Sequence, residues 1–64
     1  MKINGRKMNF SKSITIANLL LNLNISIEKV VVEVDGEIIS RDEFNSFILN
    51  ENNSIEVISF VGGG

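Results

Sequence analysis

The chain has 64 residues and a net charge of −2, and it contains no cysteine, histidine, proline, tryptophan or tyrosine. That composition excludes a disulfide scaffold, a soft-metal site and imidazole or thiol catalysis. With 44% apolar and 22% charged residues it fits one small globular domain, which at this size buries only about 60% of its unfolded surface and leaves little volume for a substrate pocket.

Met1-Lys2-Ile3 and Met8-Asn9-Phe10 alternate apolar and polar residues on either side of Asn4-Gly5. Asn-Gly is favoured in tight hairpins because both central positions need positive φ, so the first element is a β-hairpin. Ile16, Leu19, Leu20 and Leu23 then recur at i, i+3, i+4 and i+7, which predicts a helix of about two turns with one apolar face. Thr15 stands at the N-cap, Asn18 at the capping-box position, and Ile14 is placed to staple onto Leu19. Leu21 falls on the opposite face, exposed or in contact with something else. Val30, Val32 and Val34 alternate with Val31, Glu33 and Asp35, and Asp35-Gly36 turns the chain into Glu37-Ile38-Ile39. This is a second hairpin. Ser40 to Phe44 reads as a capped single turn, with Phe44 and one or more of Phe47, Ile48 and Leu49 plugging the core. Asn50 to Asn53 is a turn cluster in which Asn53 is a candidate for a left-handed conformation. Ser54 to Val61 forms the last strand, and its apolar residues change parity: Ile55 and Val57 point one way, Ile58 and Phe60 the other.

The order ββ, α, ββ, turn, β predicts an α+β roll, because a lone helix buries its stripe only by lying across one face of a sheet. A closing strand apolar on both sides belongs in the middle of that sheet, between the hairpins. The Ile58 and Phe60 side then faces away from the helix.

The charges are segregated along the chain. Residues 1–27 carry Lys2, Arg6, Lys7 and Lys12 and no acid, whereas residues 28–64 carry all eight acids against Lys29 and Arg41. Two ends of a solvated surface, or a docking dipole, would both give this pattern. Acidic balance and four aromatics that are all Phe argue against a nucleic-acid ligand. No stretch has the length of a signal-peptide core or a membrane span, so no membrane association and a cytoplasmic address are expected. Glu33, Asp35 and Glu37 surround a turn, and Asp42-Glu43 are adjacent. In so small a domain nothing desolvates such carboxylates into an acid–base pair. Gly5 and Gly36 are single hairpin glycines, so no phosphate-cradling loop and no ATP site of the chain's own is expected.

What remains is Gly62-Gly63-Gly64, three of the five glycines. At about 7% glycine such a run arises by chance at a fixed place in about three of ten thousand chains. An extended Gly-Gly threads a slot too narrow for any side chain and carries a carboxylate to a buried centre. An ionised carboxylate is a poor electrophile, so activation must come from elsewhere, most simply by ATP on a partner enzyme to give an acyl-adenylate open to attack by sulfur or an amine. An inert frayed end is the alternative.

Several segments together carry a family resemblance: Gly5, Thr15 to Leu20, Val32-Glu33-Val34-Asp35-Gly36-Glu37-Ile38-Ile39-Ser40-Arg41-Asp42-Glu43-Phe44, and Ile55 to Gly64. The chain resembles the ThiS family, the bacterial sulfur carriers of thiamine biosynthesis, over essentially its whole length. The resemblance implies a ubiquitin-like β-grasp roll over residues 1–61, with a mixed sheet and one main helix on one face, followed by a flexible reactive glycine tail, 62–64. It implies that Gly64 is adenylated by an E1-like adenylyltransferase (ThiF) using ATP and Mg, becomes a thiocarboxylate with sulfur from a donor protein, and passes that sulfur to thiazole synthase (ThiG). Gly63 would be the second glycine of the reactive pair, and the chain a co-substrate of enzymes with no cofactor of its own. Ser40 stands where the family commonly has proline, Phe44 where it has tryptophan, Asn18 where it has a helix-start Glu, and Glu51 to Asn53 where an Asp-Gly-Asp turn is common. In a β-grasp sheet the last strand lies between the first and third, so Ile58 and Phe60 would share an open face with Val31 and the stem of Lys2. That face and Gly62 are expected to dock the adenylating partner. A bulge turning Ile58 or Phe60 inward is the alternative. A molybdopterin-synthase-type carrier (MoaD), a ubiquitin-like modifier and an inert β-grasp interaction module share these features and remain open.

Overall fold

The computed structural model describes residues 1–10 and 12–60. Val61, at the end of the expected last strand, and the expected tail Gly62, Gly63 and Gly64 lie outside the described residues.

Two hairpins open where the sequence places them. β1 (Lys2–Ile3) and β2 (Arg6–Lys7) are antiparallel across Asn4-Gly5, with φ of 51° and 82°. The returning strand is Arg6–Lys7 and not Met8 to Phe10. A two-residue turn pairs Ile3 with Arg6, and only the Met8 amide, donating to the Met1 carbonyl at 2.9 Å, prolongs the ladder. The next elements are β3 (Ile14–Thr15), α1 (Ile16–Asn22) and a 3-10 turn at Ile27–Lys29. β4 (Val30–Val34) and β5 (Glu37–Ile39) form the second hairpin across Asp35-Gly36, with φ of 51° and 89°. A 3-10 turn at Arg41–Glu43, β6 (Ile48–Leu49) and β7 (Ser54–Ser59) complete the described chain.

The sheet order is β2-β1-β7-β4-β5, with β7 central as expected, parallel to β1 and antiparallel to β4. α1 lies over one face. Ile16, Leu19 and Leu20 are fully buried with Val32, Leu49 and Ile55, each side chain contributing about 1.5–3 kcal/mol of transfer free energy. Leu23 is half-buried and Leu21 is exposed.

The ends of α1 explain its length. The Thr15 hydroxyl accepts from the Asn18 amide at 3.1 Å, while the Ile16 and Ala17 amides donate to the carbonyls of Phe47 and Phe44 at 3.2 and 2.9 Å. The first donors of the helix are thus met by a side-chain cap and by the distant 44–47 loop. At the other end Asn24 has φ of 58°. Its amide donates to the Leu21 carbonyl and that of Ile25 to the Leu20 carbonyl, a Schellman closure with asparagine in the usual glycine position.

Two local expectations are corrected and a third, the core plug, is met. Ser40 does not cap its turn through its hydroxyl; its carbonyl accepts from the Glu43 amide at 2.9 Å, the ordinary closure of a 3-10 turn. Asn53 is not left-handed: among the described residues the non-glycine ones with positive φ are Asn4, Asn24 and Asp35. Its side chain instead accepts from the Asn50 amide at 2.7 Å and donates to the Asp35 carboxylate at 2.7 Å. Of the proposed plugs, Phe44 and Leu49 are buried and Phe47 half-buried, whereas Ile48 faces solvent. The reason is a second two-stranded sheet, β3 with β6, in which Leu49 pairs with Ile14 and alternation turns Ile48 outward.

Candidate functional site

The face of the sheet away from α1 is built by alternation along β7. Ile55 is buried and Val57 half-buried beneath the helix, so Ser54, Glu56 and Ile58 point the other way, with Phe60 continuing that parity just beyond the strand. The β4–β7 register runs unbroken from Val30 opposite Ser59 to Val34 opposite Ile55. No bulge turns Ile58 or Phe60 inward: they are 46% and 55% exposed. Val31, half-buried, lies directly opposite Ile58. Lys2 pairs with Ser54 on the same face, but four residues from Ile58 along β7, so its stem belongs to the far end of the surface. The structure therefore brings Ile58, Phe60 and Val31 together and sets Lys2 apart. Gly62, Gly63 and Gly64 lie outside the described residues.

Two features of this face were missed from sequence. Ile38 is 70% exposed on it, paired with Glu33 while Ile39 turns inward beside Val32. The signal was present, since of two consecutive apolar residues in a strand one must point out. Glu33 also lies directly opposite Glu56, which depends on register and has no local signature.

Side chains from the two hairpin turns fix the position of β7. Asn4 accepts from the Val57 amide at 2.7 Å and donates to the Val57 carbonyl at 3.3 Å, acting as an extra strand residue where β1 has ended. The Asp35 carboxylate accepts from the Ser54 amide at 2.9 Å and from the Asn53 side chain. Arg41 donates to the Glu28 carbonyl at 3.3 Å and joins the two 3-10 turns.

Among the described residues no group of three or more acidic side chains is arranged to hold a metal ion, and no helix is long and apolar enough to cross a membrane. The largest described surface concavity, about 530 Å³, is lined by Ala17, Leu21, Ile25 and Ile27. Glu28 is the one ionisable side chain of that lining, so no acid–base pair is assembled there. The open sheet face around Ile58, Phe60 and Val31 is the candidate site.

Comparison with known proteins gives the family. The sequence pattern of the ThiS family matches residues 1–64. The chain belongs to the ThiS family. The crystal structure of the thiamine biosynthesis protein ThiS from Geobacter metallireducens aligns with a TM-score of 0.84 at 29% identity, covering 98% of this chain and 96% of that one. The α+β roll is thus the β-grasp-like ThiS fold. The sulfur carrier protein ThiS of Bacillus subtilis is 32% identical over 65 residues, covering 100% of this chain and 98% of that protein. A thiazole synthase from Paramagnetospirillum magneticum is 37% identical over 62 residues, 97% of this chain but 19% of that enzyme. The chain therefore spans about a fifth of that thiazole synthase's length, and the likeness concerns a ThiS-like part of a larger protein.

Proposed function

We propose that this protein is a sulfur carrier of thiamine biosynthesis whose reacting group is the carboxylate of Gly64. The observation that carries this reading is the family match, which runs through to Gly64. The composition supports it, since a carrier needs no acid–base pair or metal of its own. In the first step a carboxylate oxygen of Gly64 attacks the α-phosphorus of ATP on an E1-like adenylyltransferase (ThiF), with Mg bound by that enzyme, and pyrophosphate leaves. Hydrosulfide delivered by a donor protein then attacks the carbonyl, AMP departs, and loss of the S–H proton leaves a thiocarboxylate. Gly63 and Gly62 supply the narrow backbone that lets the carbonyl reach a buried centre. Ile58, Phe60 and Val31 supply the apolar ground on which the partner docks. Thiazole synthase (ThiG) is the proposed acceptor, supported by the presence of a ThiS-like stretch within a thiazole synthase.

The test is mass spectrometry of the intact chain after incubation with the adenylating enzyme, ATP and a sulfur source. The expected result is the mass gain of one oxygen-to-sulfur exchange, absent when Gly64 is deleted and strongly reduced in Phe60→Asp, with both variants still folded. A covalent adduct to another protein would make the chain a modifier, and normal sulfur loading of the deleted variant would refute the tail chemistry.

A further inference from the structure

On the open face, residues directly opposite one another are matched like with like. Lys2 faces Lys7, Glu33 faces Glu56, and Val31 faces Ile58. Directly opposed like charges destabilise a sheet, so the first two pairs lower the stability of the isolated domain where one substitution in either would relieve it. Lys2, Lys7 and Glu56 are exposed and Glu33 is half-buried.

Register also puts the pairs in order. Lys2 lies beside Ser54, so along β7 the face passes from Lys2 and Lys7 at Ser54, through the carboxylates at Glu56, to Ile58 and Phe60. The Asp35 carboxylate flanks Ser54 from the other side, and Lys29 lies beside Phe60. At a rise of about 3.3 Å per residue the carboxylate row is about 13 Å from Phe60, and the cation row about 7 Å beyond it. Ile38, paired with Glu33, adds an apolar flank to the carboxylate row.

We infer that this face is a polarity-coded docking surface for the enzyme that activates the C-terminal carboxylate. That enzyme presents an apolar socket beside its active-site entrance, then basic side chains for Glu33 and Glu56, then acidic ones for Lys2 and Lys7. The inference rests on the carrier reading. Continuity selects this occupant: Phe60 leads directly into residues 61–64, so an enzyme that takes Gly64 must cover the apolar end of the face. The segregated charges complete the match, because an apolar patch alone accepts many surfaces. A partner displaced by one row sets like charge on like, so the pairs fix the register of docking. The stability lost in the free chain is recovered only when the partner supplies the counter-charges.

The test uses the full chain and the purified adenylating enzyme, with pyrophosphate release measured against carrier concentration. Glu56→Lys and Lys2→Glu each convert a repelling pair into an attracting one. Each free variant is expected to melt higher, by about 3 °C, while its KM for adenylation rises at least about tenfold. A gain in stability joined to a loss of partner affinity is a signature that a purely structural role does not produce. Wild-type adenylation with unchanged KM in both variants would overturn this inference and leave the carrier reading standing. A wild-type dimer closing over this face in sedimentation would also overturn it. Failure of the wild-type chain to be adenylated at all would remove the carrier reading and this inference together.

Discussion

Asn4 occupies a turn position and also clamps a strand, and the two roles can be separated by substitution. Its φ of 51° is left-handed, a conformation that costs an ordinary L-residue roughly 1 kcal/mol or more and glycine almost nothing. Its side chain makes both a donor and an acceptor bond to Val57; at about 0.5–1 kcal/mol each for exposed bonds the pair contributes about 1–1.5 kcal/mol. Asn4→Gly loses only the clamp and should cost about 1–1.5 kcal/mol. Asn4→Ala loses the clamp and adds backbone strain, for about 2–3 kcal/mol in all. In a domain whose stability is of order 5 kcal/mol the alanine variant loses about half of it, equivalent to a fall in Tm of about 10–20 °C. Asn4→Asp keeps the acceptor for the Val57 amide and loses the donor, so it belongs between wild type and alanine. Urea titration at constant m-value measures these differences directly. Equal losses for glycine and alanine would refute the strain argument, and losses under about 0.5 kcal/mol in both would refute the clamp.

The closure of α1 gives a related contrast. Asn24→Gly should be neutral or slightly stabilising, whereas Asn24→Ala should cost about 1 kcal/mol because the left-handed position is retained by the two bonds around it. The two sides of the helix should also separate in the same titration: Leu20→Ala, with Leu20 fully buried, is expected to cost about 2–5 kcal/mol. Leu21→Ala, at a residue 75% exposed, should stay within about 0.5 kcal/mol of wild type.

The parts of this fold that were legible in the sequence are those written in local code. Asn4-Gly5 and Asp35-Gly36 specify turns because few other pairs accept two positive φ values, and the Ile16 to Leu23 spacing specifies one face of a helix. The parity change within β7 was enough to place that strand centrally with Ile58 and Phe60 facing away from the helix, and the family resemblance added Val31 as their neighbour. What was not legible depends on contacts between distant segments. The β3–β6 pair is two residues long on each side, too short for alternation to register. The carbonyls of Phe44 and Phe47 that receive the helix amides leave no mark on either segment. Asn4 and Asp35 carry second roles that their turn positions conceal, since the turn alone already accounts for both residue types. The opposition of Glu33 and Glu56 follows from register, and shifting β7 by one residue would place every side chain of that strand on the other face.

The way β7 is held changes along its length, and this bears on how its end becomes available. Near Ser54 it is gripped from both sides: by Lys2 and Ile3 of β1, by the Asn4 amide on the Ile55 carbonyl at 2.8 Å, and by Asp35. On the β1 side the described bonds end at Val57, where the Asn4 side chain substitutes for a strand that has already turned. Among the described residues Ser59 and Phe60 are then held from the β4 side, Ser59 opposite Val30 and the Phe60 amide donating to the Lys29 carbonyl at 3.1 Å. Local stability follows the number of such constraints, so it falls toward Phe60 while the core beneath Ile55 stays fixed. A carrier has need of that gradient. On the proposed mechanism the domain stays folded while an enzyme draws its last residues into an active site, and a strand gripped on both sides up to Phe60 would resist this with the full strength of the sheet. Because β1 ends at Ile3, the two-sided grip on β7 stops at Val57, and the Asn4 clamp marks that point while the core beneath Ile55 stays fixed.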